Sequence, residues 1–290
     1  MAQRVNATSC GLITRKWAAP ALMPLILSGM GCATGVKVPA VQPRPEPILR
    51  RVADHVLQAF PEPPDFNWGE EVLMAGMMRA GEVTQDRRYV DFVQAWADHW
   101  RKERIGPVLE AKGYCGRWGP GFPLLMLYEA TGNESYLAMA RQIVAFMQTE
   151  ATRTGDGGLG HWRGNKQLWV DTLFMSCPVY VNAGRLASQP ELVAEAARQL
   201  IVSANHLQDA ATGLFYHMYD ELEDRRTEEP WGRGNGWTAM SCVEVLRHLD
   251  RSSPAFDRVA RDFRRLAEGL IATQDRDTGL WRTVLTRPEA

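Results

Sequence analysis

Asp171 stands where chemistry is most expected. It lies in Leu168-Trp-Val-Asp-Thr-Leu-Phe-Met175, a run that is otherwise almost wholly apolar. Burial disfavours the charged form of a carboxyl, so an acid among Trp169, Leu173 and Phe174 is expected to hold its proton. Such a group can donate a proton at neutral pH, which a general acid must do. The same spacing suits an Asp that caps a helix starting at Thr172, and both readings stand. The second cluster is Trp231-Gly-Arg-Gly-Asn-Gly-Trp237, read as a loop in which glycines let the backbone turn while large side chains project. There the Arg233 guanidinium would fork onto a carboxylate, and Trp231 and Trp237 would offer flat faces to a ring. The alternative is a loop whose indoles only fill gaps in the core. No strand is expected ahead of its Gly-x-Gly, so it is not read as a dinucleotide fingerprint. His161 and His217 form a third group, each in a loop-like or extended segment between helices. A lone His is more often structural than functional, so they are candidates by position only.

Other polar residues carry less. His55, His99, His206 and His248 fall on helices with charged neighbours and read as surface residues. No His-x-x-x-His or His-Glu-x-x-His spacing occurs, so neither a metal site nor a cofactor is expected. The acidic run at 220–229 reads as a solvated loop. Cys115, Cys177 and Cys242 are too far apart for a Cys-x-x-Cys metal site and form no disulfide framework; they read as buried thiols.

The elements that must position these residues are helices. Val52 and Val56, Leu73 and Met77, Phe92 with Val93, Trp96 and Trp100, Leu124 with Leu127 and Tyr128, and Leu137 with Ala140, Ile143 and Met147 all recur at the spacing of one helical stripe. Further helices are expected over 168–187, 190–206, 236–249 and 254–273. Strand patterns are scarce, the best being Gly213 to Tyr219, and the class is all-α. A loose repeat is visible: Gly81 to Tyr89 and Ala130 to Tyr136 are polar turns between helices with a Tyr one turn inside, and the stretches around Ser188 and Ser252 echo them. Repeated helical hairpins predict a stacked array. The helix at 168–187 has no polar face, so it must be covered on every side, as an inner helix of a toroid would be.

Composition narrows the field. The chain has 290 residues, with 33 Lys plus Arg against 34 Asp plus Glu, a hydrophobic fraction of 45% and 10 Trp. These values are those of a globular protein, and the balanced charge argues against a nucleic-acid partner. Residues 1–32 read as a targeting segment: Arg4, Arg15 and Lys16 precede an apolar stretch from Trp17 to Leu27. It ends in Ser28-Gly-Met-Gly-Cys32, which suits a bacterial lipoprotein site at Cys32, simple signal cleavage or an uncleaved anchor. The expected location is therefore secreted or periplasmic, with any membrane attachment through a lipid at Cys32. Residues 33–48 are Pro-rich and read as a linker, and 49–290 as the helical domain.

Together, Gln167 to Met175 and Trp231 to Trp237 resemble the unsaturated rhamnogalacturonyl hydrolases of glycoside hydrolase family 105, with the unsaturated glucuronyl hydrolases of family 88 as near cousins. The resemblance runs from about residue 50 to the end. It implies an (α/α)6 toroid with a metal-free site in its central cleft. The implied ligand is an oligosaccharide ending in a 4,5-unsaturated uronic acid left by a lyase, unsaturated galacturonyl-rhamnose above all. In the implied reaction an acid protonates C4 of the enol ether, water adds at C5, and the hemiketal opens and expels the neighbouring sugar. Asp171 matches the catalytic acid, which also activates water. Arg233, Trp231, Trp237, His161 and His217 match positions that line the uronate site, and Trp68 resembles an aromatic at the cleft mouth.

Two departures qualify the resemblance. The family carries a second Asp upstream, where this chain reads Cys115-Gly-Arg-Trp-Gly-Pro-Gly-Phe122; Arg117 or Trp118 is expected to take that space. About nine helices are expected over 49–273, against the twelve of a closed toroid, so the ring is expected to lack its last helices and the chain to be a fragment. Two rival readings follow: a carbohydrate-binding relative without turnover, and another enzyme of the α/α toroid class such as a sugar epimerase.

Overall fold

The computed structural model describes residues 45–111 and 113–287. The targeting segment and most of the expected linker lie outside the described residues. The first helix, α1, spans Pro45–Ala59, so it starts inside the stretch expected to be linker. Proline is tolerated in a first helical turn, whose N–H groups have no helical partner in any case. Then follow α2 (Trp68–Thr84), α3 (Arg87–Glu103), the short α4 (Gly106–Glu110), α5 (Gly121–Thr131), α6 (Glu134–Thr149), α7 (Val170–Ala187), α8 (Pro190–Leu207), α9 (Gly232–His248) and α10 (Pro254–Thr273). A single 3-10 turn covers Cys115–Arg117. The expected nine helices are there, with α4 in addition among the described residues.

Helices α2, α5, α7 and α9 pack in succession as an inner row, and α1, α3, α6, α8 and α10 cover them from outside. This is the hairpin array that the repeat predicts. The polar turns work as paired stop and start signals. Gln85, Gly132 and Ser188 take left-handed conformations at helix ends, with φ of 55°, 71° and 55°. Asp86, Asn133 and Ser253 then cap α3, α6 and α10 by accepting backbone N–H groups. The repeated Tyr has a physical role. Tyr89 donates to Asp54 at 3.0 Å and Tyr136 to Asp98 at 3.1 Å, so each fully buried ring ties its outer helix to the previous one.

Helix α7 is buried along most of its length, from Val170 and Thr172 through Gly184, as an inner helix must be. It begins two residues later than expected. Residues Gln167–Trp169 form a strand, β1, which pairs antiparallel with β2 (Met218–Asp220), and β2 pairs with β3 (Arg225–Arg226). The strand expected at 213–219 is thus confined to its end, and the acidic stretch expected to be a loop holds a β-turn hairpin. Helices α2 and α9 end the inner row, and each has exposed apolar side chains, Val72 on α2 and Met240 and Val243 on α9.

Glu71 on α2 is fully buried against the backbone of Gly119, and neither carboxyl oxygen has a hydrogen-bond partner among the described residues. Burial pushes its pKa well above the ordinary 4.5. A raised carboxyl leaves stability intact below its unfolded pKa and withdraws it as pH rises. Glu71→Gln is therefore expected to raise Tm at about pH 8 and to leave it nearly unchanged at about pH 4, at roughly 2–4 °C for each kcal/mol recovered. Thermal melts at both values check this; a gain that is equal at the two would contradict a buried, titrating Glu71.

Candidate functional site

The start of α7 sets the site. Trp169 is the residue before the helix, extended at φ −118° and ψ 139°, and makes no side-chain cap bond. Asp171 is the second helical residue, so the capping role open in the sequence is not the one it takes. Its carboxyl is also not isolated: Oδ2 lies 3.1 Å from His217 Nε2, with the Asp171 side chain 19% exposed. The apolar run surrounds Asp171 along the chain, but Leu173 and Phe174 are buried in the core while the Asp171 carboxyl stays partly exposed beside His217.

Backbone bonds bring His217 there. Val170 N–H donates to His217 C=O at 3.1 Å, and His217 N–H donates to Thr227 Oγ1 at 3.0 Å. The sheet β1–β2–β3 thus delivers a residue that lies far along the chain from Asp171. A second set of bonds delivers His161: its N–H donates to Gln167 C=O at 3.1 Å, and its C=O accepts from Cys115 N–H at 3.0 Å. Its Nδ1 is 3.0 Å from Thr172 Oγ1 and 3.2 Å from Cys115 Sγ. Burial above all, opposed by Asp171 and aided by His217, lowers the His161 pKa to about 4. The ring is therefore neutral at physiological pH. It is only 6% exposed, so His161 supports the wall of the cleft more than it faces a ligand. Cys115, expected to be an inert buried thiol, is buried and raised in pKa by that burial, yet it is a partner of this His.

The stretch Trp231 to Trp237 is not a loop. Trp231 precedes α9, and Gly232 to Trp237 form its first turns. A Cβ on Gly234 would lie 2.5 Å from Val170 Cγ2 and 2.8 Å from the Trp231 ring, so only glycine lets the starts of α9 and α7 meet. Asn235, fully buried, accepts Phe215 N–H at 2.7 Å and donates to Phe215 C=O at 2.8 Å. That pin holds the segment leading to His217. Arg233 lies 4.4 Å from the Trp231 ring centroid and 5.7 Å from that of Trp68. It is exposed and has no ion-pair partner among the described residues. Trp237, one turn on, stacks on Phe174 at 4.6 Å and is partly built into the core.

Aromatic rings complete the cleft. Trp169 stands edge-on to His217 at 4.8 Å and stacks on His161 at 5.0 Å; His217 tilts against Trp231 at 4.6 Å. Trp162 and Tyr114 stack at 5.9 Å, beside His161. The chain of contacts brings six expected residues together, Asp171, His217, Trp231, Arg233, Trp68 and His161, and sets Trp237 at its margin. Trp162, Trp169, Tyr114 and Thr172 also belong to it. Trp162 directly follows His161 and was legible from that neighbour; Tyr114 had no sequence signal. Arg117 and Trp118 are the residues expected in the space of the second Asp. Arg117 turns away, donating to Asp65 Oδ1 at 2.7 Å and Phe66 C=O at 2.6 Å, and Trp118 is fully buried. Among the described residues no group of three His, Cys, Asp or Glu is placed to hold a metal ion.

The Asp171 carboxyl meets His217, which lies against the rings of Trp169 and Trp231, and the frame of this cluster is an array of α/α hairpins. The fold and the cleft together define a helical-toroid protein of carbohydrate chemistry. The chain belongs to Glycosyl Hydrolase Family 88, whose pattern matches residues 46–290. It is 28% identical to the unsaturated rhamnogalacturonyl hydrolase YesR of Bacillus subtilis (strain 168) over 232 residues, 78% of this chain and 66% of that protein. It is 25% identical to the unsaturated 3S-rhamnoglycuronyl hydrolase of Alteromonas sp. (strain LOR) over 236 residues, 77% of this chain and 56% of that protein. The chain thus spans about two thirds of the first relative and little over half of the second. A family 105 glycoside hydrolase of C. acetobutylicum shares the fold, with a TM-score of 0.75 at 21% identity over 83% of this chain and 70% of that one.

Proposed function

We propose that the chain is a hydrolase of oligosaccharides that end in a 4,5-unsaturated uronic acid, with unsaturated galacturonyl-rhamnose as the preferred ligand. The observation that carries this is the Asp171–His217 pair, 3.1 Å apart in a cleft that also holds an unpaired Arg233. Arg233 takes the uronate carboxylate, and Trp231 and Trp68 flank the ring. Asp171, in its acid form, gives its proton to C4 of the enol ether, and positive charge develops at C5. The Asp171 carboxylate so formed then takes a proton from the water that attacks C5, which restores the acid. His217 orients the carboxyl through its Nε2. The hemiketal at C5 opens and the neighbouring sugar leaves. The family of the chain and the names of its relatives support this reading. The basic and apolar start of the chain, from Arg4 to Cys32, supports export to the cell envelope, where lyase products are met.

The test is ultraviolet absorbance of the double bond in an unsaturated galacturonyl-rhamnose disaccharide during incubation with the purified chain. Steady loss of absorbance, proportional to protein, is expected. A flat trace from a folded sample that still binds the disaccharide would favour the binding protein without turnover.

A further inference from the structure

The contacts around Asp171 close on themselves. From Arg233 they run through Trp231, His217, Trp169 and His161 to Tyr114. From Tyr114 they return past Asn67 to Trp68, which faces Arg233. Tyr114 is thus separated from Arg233 on both sides. A ligand anchored by its carboxylate to Arg233 inside this circuit presents another edge to Tyr114.

Three features fix the Tyr114 ring. It stacks on Trp162 at 5.9 Å with 19° between planes and meets the edge of His161 at 5.3 Å. Its third support is the backbone of Gly116. A Cβ at that position would overlap Tyr114 Cε1 and lie 2.8 Å from Cζ and 2.7 Å from Asn67 Oδ1. The phenol therefore occupies the volume that a side chain at 116 would need. Its hydroxyl has no hydrogen-bond partner among the described residues and is not among the buried unpaired atoms, so it is accessible to a ligand donor or acceptor from outside the core. Burial of the ring, with Cys115 and Asp171 nearby, pushes the phenol up to about 12, so it stays a donor throughout the working range of a protein. A rigid aromatic ring with an unused donor binds at low entropic cost.

Resting on the function proposed above, we propose that Tyr114 is a specificity-determining residue that donates its O–H to a sugar oxygen of the bound oligosaccharide, and that Gly116 makes room for its ring. The bond selects ligands that carry an acceptor at the edge remote from the carboxylate.

Binding of the unsaturated galacturonyl-rhamnose disaccharide, followed by tryptophan fluorescence, tests this in the full chain carrying Asp171→Asn, which slows turnover enough for binding to be read. Adding Tyr114→Phe keeps the ring and removes the hydroxyl; a roughly three- to tenfold weaker Kd with unchanged Tm is expected. Gly116→Ala displaces the ring and is expected to weaken binding too. Its effect should shrink in the Tyr114→Phe background, because both changes remove the same bond. A loss below threefold on Tyr114→Phe, with binding otherwise intact, overturns the role of Tyr114 alone. No binding by the Asp171→Asn chain itself overturns the site reading and this role with it.

Discussion

Asp171→Asn is expected to cut turnover of an unsaturated uronyl disaccharide by roughly 10²–10⁴-fold, the range for a positioned acid–base group. The amide has the size of the carboxyl and can keep its contact with His217, so the cleft retains its shape. An amide has no proton acidic enough to deliver to C4, and once the double bond is untouched no positive charge develops for water to attack. The loss should appear in kcat, with ligand affinity kept within a few-fold, because the interaction removed is one made in the transition state. The absorbance assay reads the first quantity and tryptophan fluorescence the second. A variant with full kcat would remove Asp171 from the reaction. A variant that loses affinity and turnover together would make it a binding residue instead.

The next largest effect is expected at Arg233. The guanidinium lies 4.4 Å from the Trp231 ring centroid and 5.7 Å from that of Trp68, and it pairs with no carboxylate among the described residues. Charge-assisted hydrogen bonds are worth about 1.5–3 kcal/mol, so Arg233→Met should weaken binding by roughly 10–100-fold. Arg233→Lys should recover part of this only, since an ammonium lacks the planar fork and stacks poorly on indole. The methyl ester of the ligand separates charge recognition from packing. Parent and Arg233→Met should differ little on the ester and strongly on the free acid. An equal difference on both would mean that Arg233 holds the indoles in place and does not read the carboxylate.

Much of the architecture was legible in the sequence because its signals are local. Apolar residues three and four apart define a helical stripe whatever the helix packs on, and Asp86, Asn133 and Ser253 cap by contacts within their own turns. The all-round apolarity of the helix expected at 168–187 placed it inside the array, and the structure buries α7 there. The site was legible as residue types: a carboxyl, a guanidinium, indoles, imidazoles. Its errors came where the partner lies far along the chain. Trp231 to Trp237 reads as a loop because three glycines are poor helix formers. They sit in α9 nonetheless, since Gly234 is what lets Val170 approach.

The sequence by itself determined the helical class, the hairpin repeat and most of the side chains that the structure gathers near Asp171. Each of these follows from composition or from neighbours within a few turns. Only the tertiary structure decided how those side chains pair. That Asp171 faces His217 and that Asn235 pins the segment leading to it both join residues far apart along the chain. No periodicity records such pairings, because they arise when helices and the small sheet close on one another and each buried polar group must find a partner at that distance.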